Sequence, residues 1–434
     1  MRRTVVAGMA LAVLAAWAPG VASGSIAPGP VGTQAVGTEA VFTTPTGTDA
    51  QQRAIVNRVI SLIDGAAAGS RIRVAMFYAD DPAIPTALVA AKNRGVSVQA
   101  IFDSRMTDPN ESSGIKAVWS QLVSGLGTSK SAPSWVMACP AGRGCVGSLK
   151  LGNVTAINHN KFFLFSNTSG TSNVVVQSSA NLHNGRDGTK GYNNALILTG
   201  HNAVFSAYEG YFGDMAALRT NNNYYDTGRA PVTDGNAKAH FFPRSSAADD
   251  QYRDPSEDTM YTVLDHIDCF GNSSVGTTDN HRTIIRVNQN IFSRPYLAQK
   301  LVDLDAAGCY VEVVQNYAPD GDPAKVSLAE ESLRDLLART SSAYNGVVVR
   351  YYCDSDPVWT HSKYLLVEGK YYGVADRKIL WTGSANWSTN SLRQSDEAVL
   401  QLEDSAVFDQ YLADFRAGRD NAAHQPANGA AIAC

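Results

Sequence analysis

Two short stretches of this chain carry side chains able to act on a phosphate ester. His159-Asn160-Lys161 runs into the apolar stretch Phe162 to Phe165, and His361-Ser362-Lys363 runs into Tyr364 to Val367. On a β-strand, residues i and i+2 point to one face. Each copy therefore presents an imidazole and an ammonium side by side, at the end of a run apolar enough to be buried. A second pair follows each first: Val174-Val175-Val176 leads to Ser179-Ala180-Asn181, and Ile379-Leu380-Trp381 leads to Ser384-Ala385-Asn386. The His and Lys positions recur after 202 residues (159 to 361, 161 to 363), and the Ser and Asn positions after 205 (179 to 384, 181 to 386). With only 8 His in 434 residues, chance does not supply that ordered constellation twice.

Two His, two Lys, two Asn and two Ser without a carboxylate cluster suit a phosphodiester. Ammoniums and amide donors hold the nonbridging oxygens and stabilise charge as phosphorus becomes five-coordinate. One neutral imidazole can attack phosphorus while the other, protonated, donates to the leaving oxygen. An unperturbed imidazole pKa of about 6.5 keeps both forms within reach. The scheme needs no divalent metal, and no Asp/Glu set at ligand spacing proposes one. No cofactor is expected.

The elements that must position these groups repeat as well. Ile55, Val56, Val59, Ile60 and Ile63 recur at helical spacing, and Ile72 to Phe77 reads as a buried strand. A helix over roughly 84–94 ends at Gly95, and a strand spans Val96 to Phe102. The same order returns with Met260, Val263, Leu264 and Ile267 on a helix opening at Ser256, then a strand at Ile284 to Val287, a helix ending at Gly308 and a strand at Val311 to Val314. Apolar strands alternating with helices predict an α/β fold of two similar sandwich halves, an internal duplication. The expected boundaries are a signal peptide at 1–22, a flexible N-terminus at 23–47 rich in Gly, Thr, Pro and Ala, and halves at 48–235 and 236–434, separated by the polar stretch Asn221 to Gly235.

Arg2 and Arg3, the apolar run Val5 to Trp17 and the small residues near Ala22 follow the secretory pattern, and that run is too short to span a bilayer. The expectation is an exported, soluble protein. With 36 basic and 40 acidic residues the net charge is −4, which argues against bulk attraction to nucleic acid or anionic membrane. Six cysteines fit an oxidising compartment. Cys139 and Cys145 are expected to close a Gly/Pro-rich loop, Cys269 and Cys309 to lie at the same end of a sheet, and Cys353 is left for Cys434. A zinc site is disfavoured because the one close Cys pair has no nearby His.

His-x-Lys followed by Ser-x-Asn, twice in one chain, resembles the phospholipase D superfamily, and within it the secreted actinobacterial enzymes. The resemblance covers about residues 50–415. It implies one active site at the interface of the two halves, working through a covalent phosphohistidine. It further implies hydrolysis of phospholipid headgroups, phosphatidylcholine-like to phosphatidic acid, with transfer of the phosphatidyl group to alcohols. The substrate would lie at a membrane or micelle surface, with a monomeric enzyme and no stable nucleic-acid partner. The alternatives are a secreted metal-independent nuclease of the same superfamily and a noncatalytic phosphate- or lipid-binding relative.

The family pattern places an Asp after each Lys where this chain has Ser166 and Glu368, and Ser178 stands where the second copy has Gly383. Glu397 aligns with Asn194 (203 residues apart), so the halves are chemically unequal. In the family, the acid after one motif orients the histidine of the other half. The expected catalytic set is His159, His361, Lys161, Lys363 and Glu397, with Glu397 supporting His159 as nucleophile and His361 as general acid. Asn181, Asn386, Ser179, Ser384 and Asn194 are the expected substrate-binding residues. His183 and the pair Tyr224 and Tyr225 are weaker candidates for the cleft mouth and for substrate contact.

Overall fold

The computed structural model describes residues 35–247, 250–317, 327–338 and 346–434. The expected signal peptide at 1–22 and residues 23–34 lie outside the described residues.

A seven-stranded sheet forms first in the chain. Its strands are β1 (Glu39–Phe42), β2 (Arg71–Met76), β3 (Ser97–Phe102), β4 (Trp135–Ala138), β7 (Lys161–Thr168), β8 (Thr171–Ser178) and β9 (Asn194–Leu198), while β5 (Lys150–Leu151) and β6 (Val154–Thr155) pair separately. The second sheet contains β10 (Val232–Asp234), β11 (Ala237–Phe242), β12 (Ile267–Asp268), β13 (Ile284–Gln289), β14 (Tyr310–Tyr317), β15 (Val348–Cys353), β16 (Lys363–Tyr371), β17 (Val374–Gly383) and β18 (Glu397–Leu402). The spatial orders are β1-β9-β8-β7-β2-β3-β4 and β11-β18-β17-β16-β13-β14-β15. In both, three parallel strands adjoin an antiparallel meander. The duplication read from the motifs is thus a duplication of topology.

Period-2 alternation explains how each sheet is covered twice. Phe162 and Leu164 face one core, with the helices Asn202–Ala216 and Ser405–Asp420 and with Tyr364, Leu366 and Leu400 of the second sheet. Phe163 and Phe165 face another, under the helices Ala54–Asp64, Ala83–Asn93 and Ser113–Leu126. Leu365 and Val367 do the same beneath Thr259–Asp265, Pro295–Ala306 and Leu328–Leu337. The first of these clusters joins the two sheets.

Two expectations change. The part of 23–47 that is described is not all flexible tail: β1 pairs antiparallel with β9, Phe42 opposite Asn194. It lies beside β9 as β11 lies beside β18 in the second sheet, where β10 extends the sheet further and Phe242 lies opposite Glu397. Four residues bordered by Gly and Thr are too few to show strand periodicity, and the sheet edge supplies the order. Tyr224 and Tyr225 open a short turn of helix in which Tyr224 is buried and Tyr225 half-buried, rather than lying exposed. Tyr224 donates to Asp214 at 2.6 Å, and Tyr225 stacks on His240 with Arg244 over its ring.

Three disulfides join Cys139 to Cys145, Cys269 to Cys309 and Cys353 to Cys434. Among the described residues, no helix is long and apolar enough to cross a membrane.

Candidate active site

His159 and His361 each precede a strand by two residues, and each is clamped by backbone pairing to the other half. His159 N donates to Asp396 O at 3.0 Å, and Asp396 N to Ile157 O at 2.9 Å. His361 N donates to Tyr192 O at 2.7 Å, and Tyr192 N to Trp359 O at 3.0 Å. The two bridges, Asn158 with Asp396 and Tyr192 with Thr360, are both parallel. Neither histidine can be placed without the opposite half.

The second nitrogen of each ring also reaches across. His159 Nδ1 lies 2.7 Å from Glu397 Oε1. A carboxylate oxygen accepts, so Nδ1 carries the proton and Nε2 keeps its lone pair for the site. His361 Nδ1 lies 2.9 Å from Asn193 Oδ1. The amide of Asn193 is held in that orientation because its Nδ2 donates to Gly188 O at 2.8 Å while Ser179 Oγ donates to its Oδ1 at 2.9 Å. The residue opposite Glu397 is therefore Asn193, not Asn194. Asn194 is fully buried and donates to Thr382 Oγ1 at 2.6 Å and Tyr411 OH at 3.2 Å, while its Oδ1 accepts from Lys363 N. Its side chain is spent inside the core, and its backbone N donates to Ser179 Oγ, as Ala398 N donates to Ser384 Oγ.

Those two serines are also corrected. Ser179 and Ser384 are fully buried, and their hydroxyls are taken up by the neighbouring strand and by Asn193. They brace the site from behind. Asn181 Nδ2 donates to Asp187 Oδ2 at 2.9 Å and its Oδ1 has no partner, while Asn386 Oδ1 accepts from Ile291 N at 3.3 Å. Ser166 accepts from Arg71 N, and Glu368 pairs with Arg286, so the departures after each Lys are structural.

Both ammoniums are buried and bend back to their own motif: Lys161 Nζ donates to His159 O at 2.7 Å and Lys363 Nζ to His361 O at 2.6 Å. Burial pushes Lys161 down to about 7 against the pull of Glu397 and Asp187. Burial and the Lys161 charge push Lys363 well below the usual lysine range. Burial likewise lowers His159 to about 4, with Glu397 opposing, and drives His361 well below its ordinary value, with Lys363 adding to the effect. Four nitrogen bases crowded in a low-dielectric space resist protonation. An anion among them reverses that balance, so the arrangement favours binding a phosphate oxygen.

Sequence reasoning gave little weight to the group beside Asn181. Asp187 accepts from Tyr78 OH and from Asn181, and lies 2.5 Å from His183 Nδ1, whose Nε2 is 3.2 Å from Asp80. Burial pushes Asp187 upward, but the bond from His183 and the nearby His361 and Tyr78 hold it well below the usual carboxylate range. His183 is thus tied into the wall rather than loose at the mouth. A glance at the loop Asn181 to Asp187 as a His-x-x-x-Asp pair could have found it.

A cavity of about 520 Å³ is lined by Phe77, Asp103, Arg105, Asp108, Pro109 and Ile157 among others. Phe77 meets the His159 ring edge-on with centroids 5.3 Å apart. Two clusters among the described residues have metal-ligand geometry, Cys353/His424/Cys434 and Cys139/Cys145/Asp396, but their sulfurs are committed to disulfides.

Comparison with known proteins bears on the family and the fold. A family model described as "Cardiolipin synthase, PLD-like domain" matches residues 59–216 and again 279–418. Among solved structures, the phosphatidylserine synthase of Haemophilus influenzae Rd KW20 aligns with a TM-score of 0.55 at 17% identity, over 88% of this chain and 85% of that one. The polyphosphate kinase of Porphyromonas gingivalis aligns with a TM-score of 0.51 at 12% identity, over 87% of this chain and only 50% of that one. This chain therefore spans half the length of the kinase, and at these identities the likeness is one of fold. No curated protein sequence matches the chain at a significant level.

Proposed function

Because this chain belongs to the phospholipase D-like family, whose model matches both halves, we propose that it is an exported phospholipase D-type phosphodiesterase acting on phospholipid headgroups. The observation that carries the reading is the pair of buried ammoniums and pair of imidazoles, all with lowered proton affinity, gathered where the halves meet. Lys161, Lys363 and the amides of Asn181 and Asn386 hold the nonbridging oxygens of the diester. Binding that anion raises the proton affinity of His361, which arms it as an acid only in the complex. His159 Nε2 then attacks phosphorus. The bond to the headgroup oxygen breaks, and that oxygen leaves with the His361 proton. Glu397 stabilises the cationic phosphohistidine. In the second step His361 takes a proton from water, whose oxygen attacks phosphorus and releases His159 and phosphatidic acid. An alcohol in place of water yields a phosphatidyl alcohol.

The cavity lined by Phe77, Arg105, Asp108 and Ile157 neighbours His159 through the Phe77 ring, and we read it as room for the substrate beyond its phosphate. Three disulfides support an oxidising compartment and hence export. The enzyme is read as a monomer working at a lipid surface.

The test is one assay on three substrates. Purified protein is offered phosphatidylcholine vesicles, the same vesicles with a primary alcohol, and single-stranded DNA, each with a strong chelator present. Release of phosphatidic acid, diverted to phosphatidyl alcohol by the alcohol, is the expected result. Cleavage of DNA alone would replace the lipid reading with the nuclease, and binding of vesicles without turnover would leave a noncatalytic relative.

A further inference from the structure

Asp396 sits directly before Glu397 and is fully buried. Its carboxylate is gripped by backbone N–H groups at and just after the end of the loop that the Cys139–Cys145 disulfide closes. Cys145 N donates to Oδ2 at 2.6 Å, Val146 N to both oxygens at 3.1 and 3.2 Å, and Gly147 N to Oδ1 at 2.6 Å. Three successive N–H groups converging on one carboxylate form an anion-holding nest. The approach is so close that a Cβ at Gly144 would lie 2.7 Å from the Asp396 oxygens, and one at Gly147 only 2.0 Å from Gln394 O.

The backbone of the same residue holds the nucleophile's strand, taking His159 N and giving its own N–H to Ile157 O. Asp396 thus ties three things together: the disulfide loop, the main chain of His159 and the origin of the Glu397 side chain. At the corresponding bridge of the opposite half stands Tyr192, whose ring packs on Tyr352 in the shared core.

We propose that Asp396, seated in the nest of the Cys139–Cys145 loop, is a positioning residue that sets the His159–Glu397 contact. It acts through other groups and touches neither substrate nor phosphorus. Loosening it lets Glu397 and the His159 backbone drift, and a contact at 2.7 Å tolerates little drift. The inference rests on the phosphodiesterase reading for its kinetic consequence but not for its structural one.

The test therefore has two readouts on the full-length, oxidised protein. Asp396→Asn keeps the shape but turns a second N–H donor group toward three others. The double variant Cys139→Ser/Cys145→Ser leaves Asp396 intact and opens the loop. Both are expected to lower kcat on phosphatidylcholine by roughly 10–100-fold, the usual effect of removing an outer orienting partner, with KM changed by less than about threefold, since uniform binding is untouched. Independently of turnover, the far-downfield proton NMR signal of His159 Nδ1–H against Glu397 should broaden or shift in both. A kcat within twofold of the parent protein in both variants, or an unchanged downfield signal in the folded variants, overturns the proposal. If Asp396→Asn does not fold, the loop variant alone decides by the same criteria. A parent protein that turns over no lipid would defeat the functional reading, while the NMR comparison would still decide the positioning role.

Discussion

His159 and His361 occupy matching places in matching sheets, but one ring leans on a carboxylate and the other on a carboxamide. Glu397 can share the positive charge that a histidine acquires when it becomes bonded to phosphorus. Asn193 can fix a tautomer and a ring orientation, and nothing more. The surroundings follow the same division. Glu397 is preceded by Asp396 in its nest, whereas Asn193 is held by Ser179 and the carbonyl of Gly188. A duplicated fold supplies two equivalent bases, and a single side-chain difference behind each of them separates their roles.

The comparison breaks most visibly if one histidine proves dispensable. His159→Ala and His361→Ala should each lower turnover by about 10²–10⁴-fold or more. Retention of a tenth of the activity by either, measured by release of phosphatidic acid, would falsify the shared site. The partners sharpen it further. Glu397→Gln should cost about 10²–10³-fold and Asn193→Ala about tenfold, because only the first removes a charge from behind the nucleophile. Equal losses would mean that the halves are not divided in role. The pH profile carries the sign. His159 is neutral above about 4, so the acid limb of kcat/KM falls below that value. Glu397 raises the proton affinity of His159, so Glu397→Gln should move that limb to lower pH. Asn193→Asp places a carboxylate behind His361, which raises its proton affinity and should carry activity to higher pH.

How much of this was legible beforehand depends on whether the signal was local. The His-x-Lys and Ser-x-Asn copies, the apolar strands after them and the closing of Cys139 on Cys145 are contained in a few adjacent residues each. The carboxylate behind His159 was also reachable, given the family resemblance. Its counterpart was missed by one position, since Glu397 matches Asn193 at a spacing of 204 where an offset of 203 pointed to Asn194. The motif spacings of 202 and 205 bracket that value, so only strand register could decide. It does so through Ser178 opposite Ala195 and Gly383 opposite Val399. The strand β1 and the buried turn at Tyr224 were illegible for another reason. Each is ordered by partners about 150 residues away or by a neighbouring helix, and neither has enough length to show a period. Asp396 drew no reading from the sequence, because a nest of backbone N–H groups leaves no trace in residue types.

The smallest expected effect contrasts two aspartates on the helices that cross the shared core. Asp214, on Asn202–Ala216, meets Arg219 at 2.7 Å and Arg229 at 3.0 Å. Asp414, on Ser405–Asp420, is buried and accepts a bond from Tyr364 OH at 2.8 Å, with no ion pair among the described residues. Burial pushes Asp414 up to about 7, with the Tyr364 bond opposing only in part. In the unfolded chain the same carboxyl titrates near 3.9. Between those values the folded state binds a proton that the unfolded state has released. Stability held by this group is thus fully present below about 4 and is lost as pH rises toward 7, by at most about 1.4 kcal/mol per pH unit. Asp414→Asn preserves the shape and does not titrate. The variant should match the parent in thermal stability near pH 4 and exceed it progressively up to pH 7, by on the order of 1–4 kcal/mol in all. Asp214→Asn should do the reverse at neutral pH, losing about 1–3 kcal/mol by depriving two guanidiniums of their acceptor. Parallel stability curves for Asp414→Asn and the parent across that range would show that Asp414 is ionised in the core, and the contrast between the two helices would then disappear.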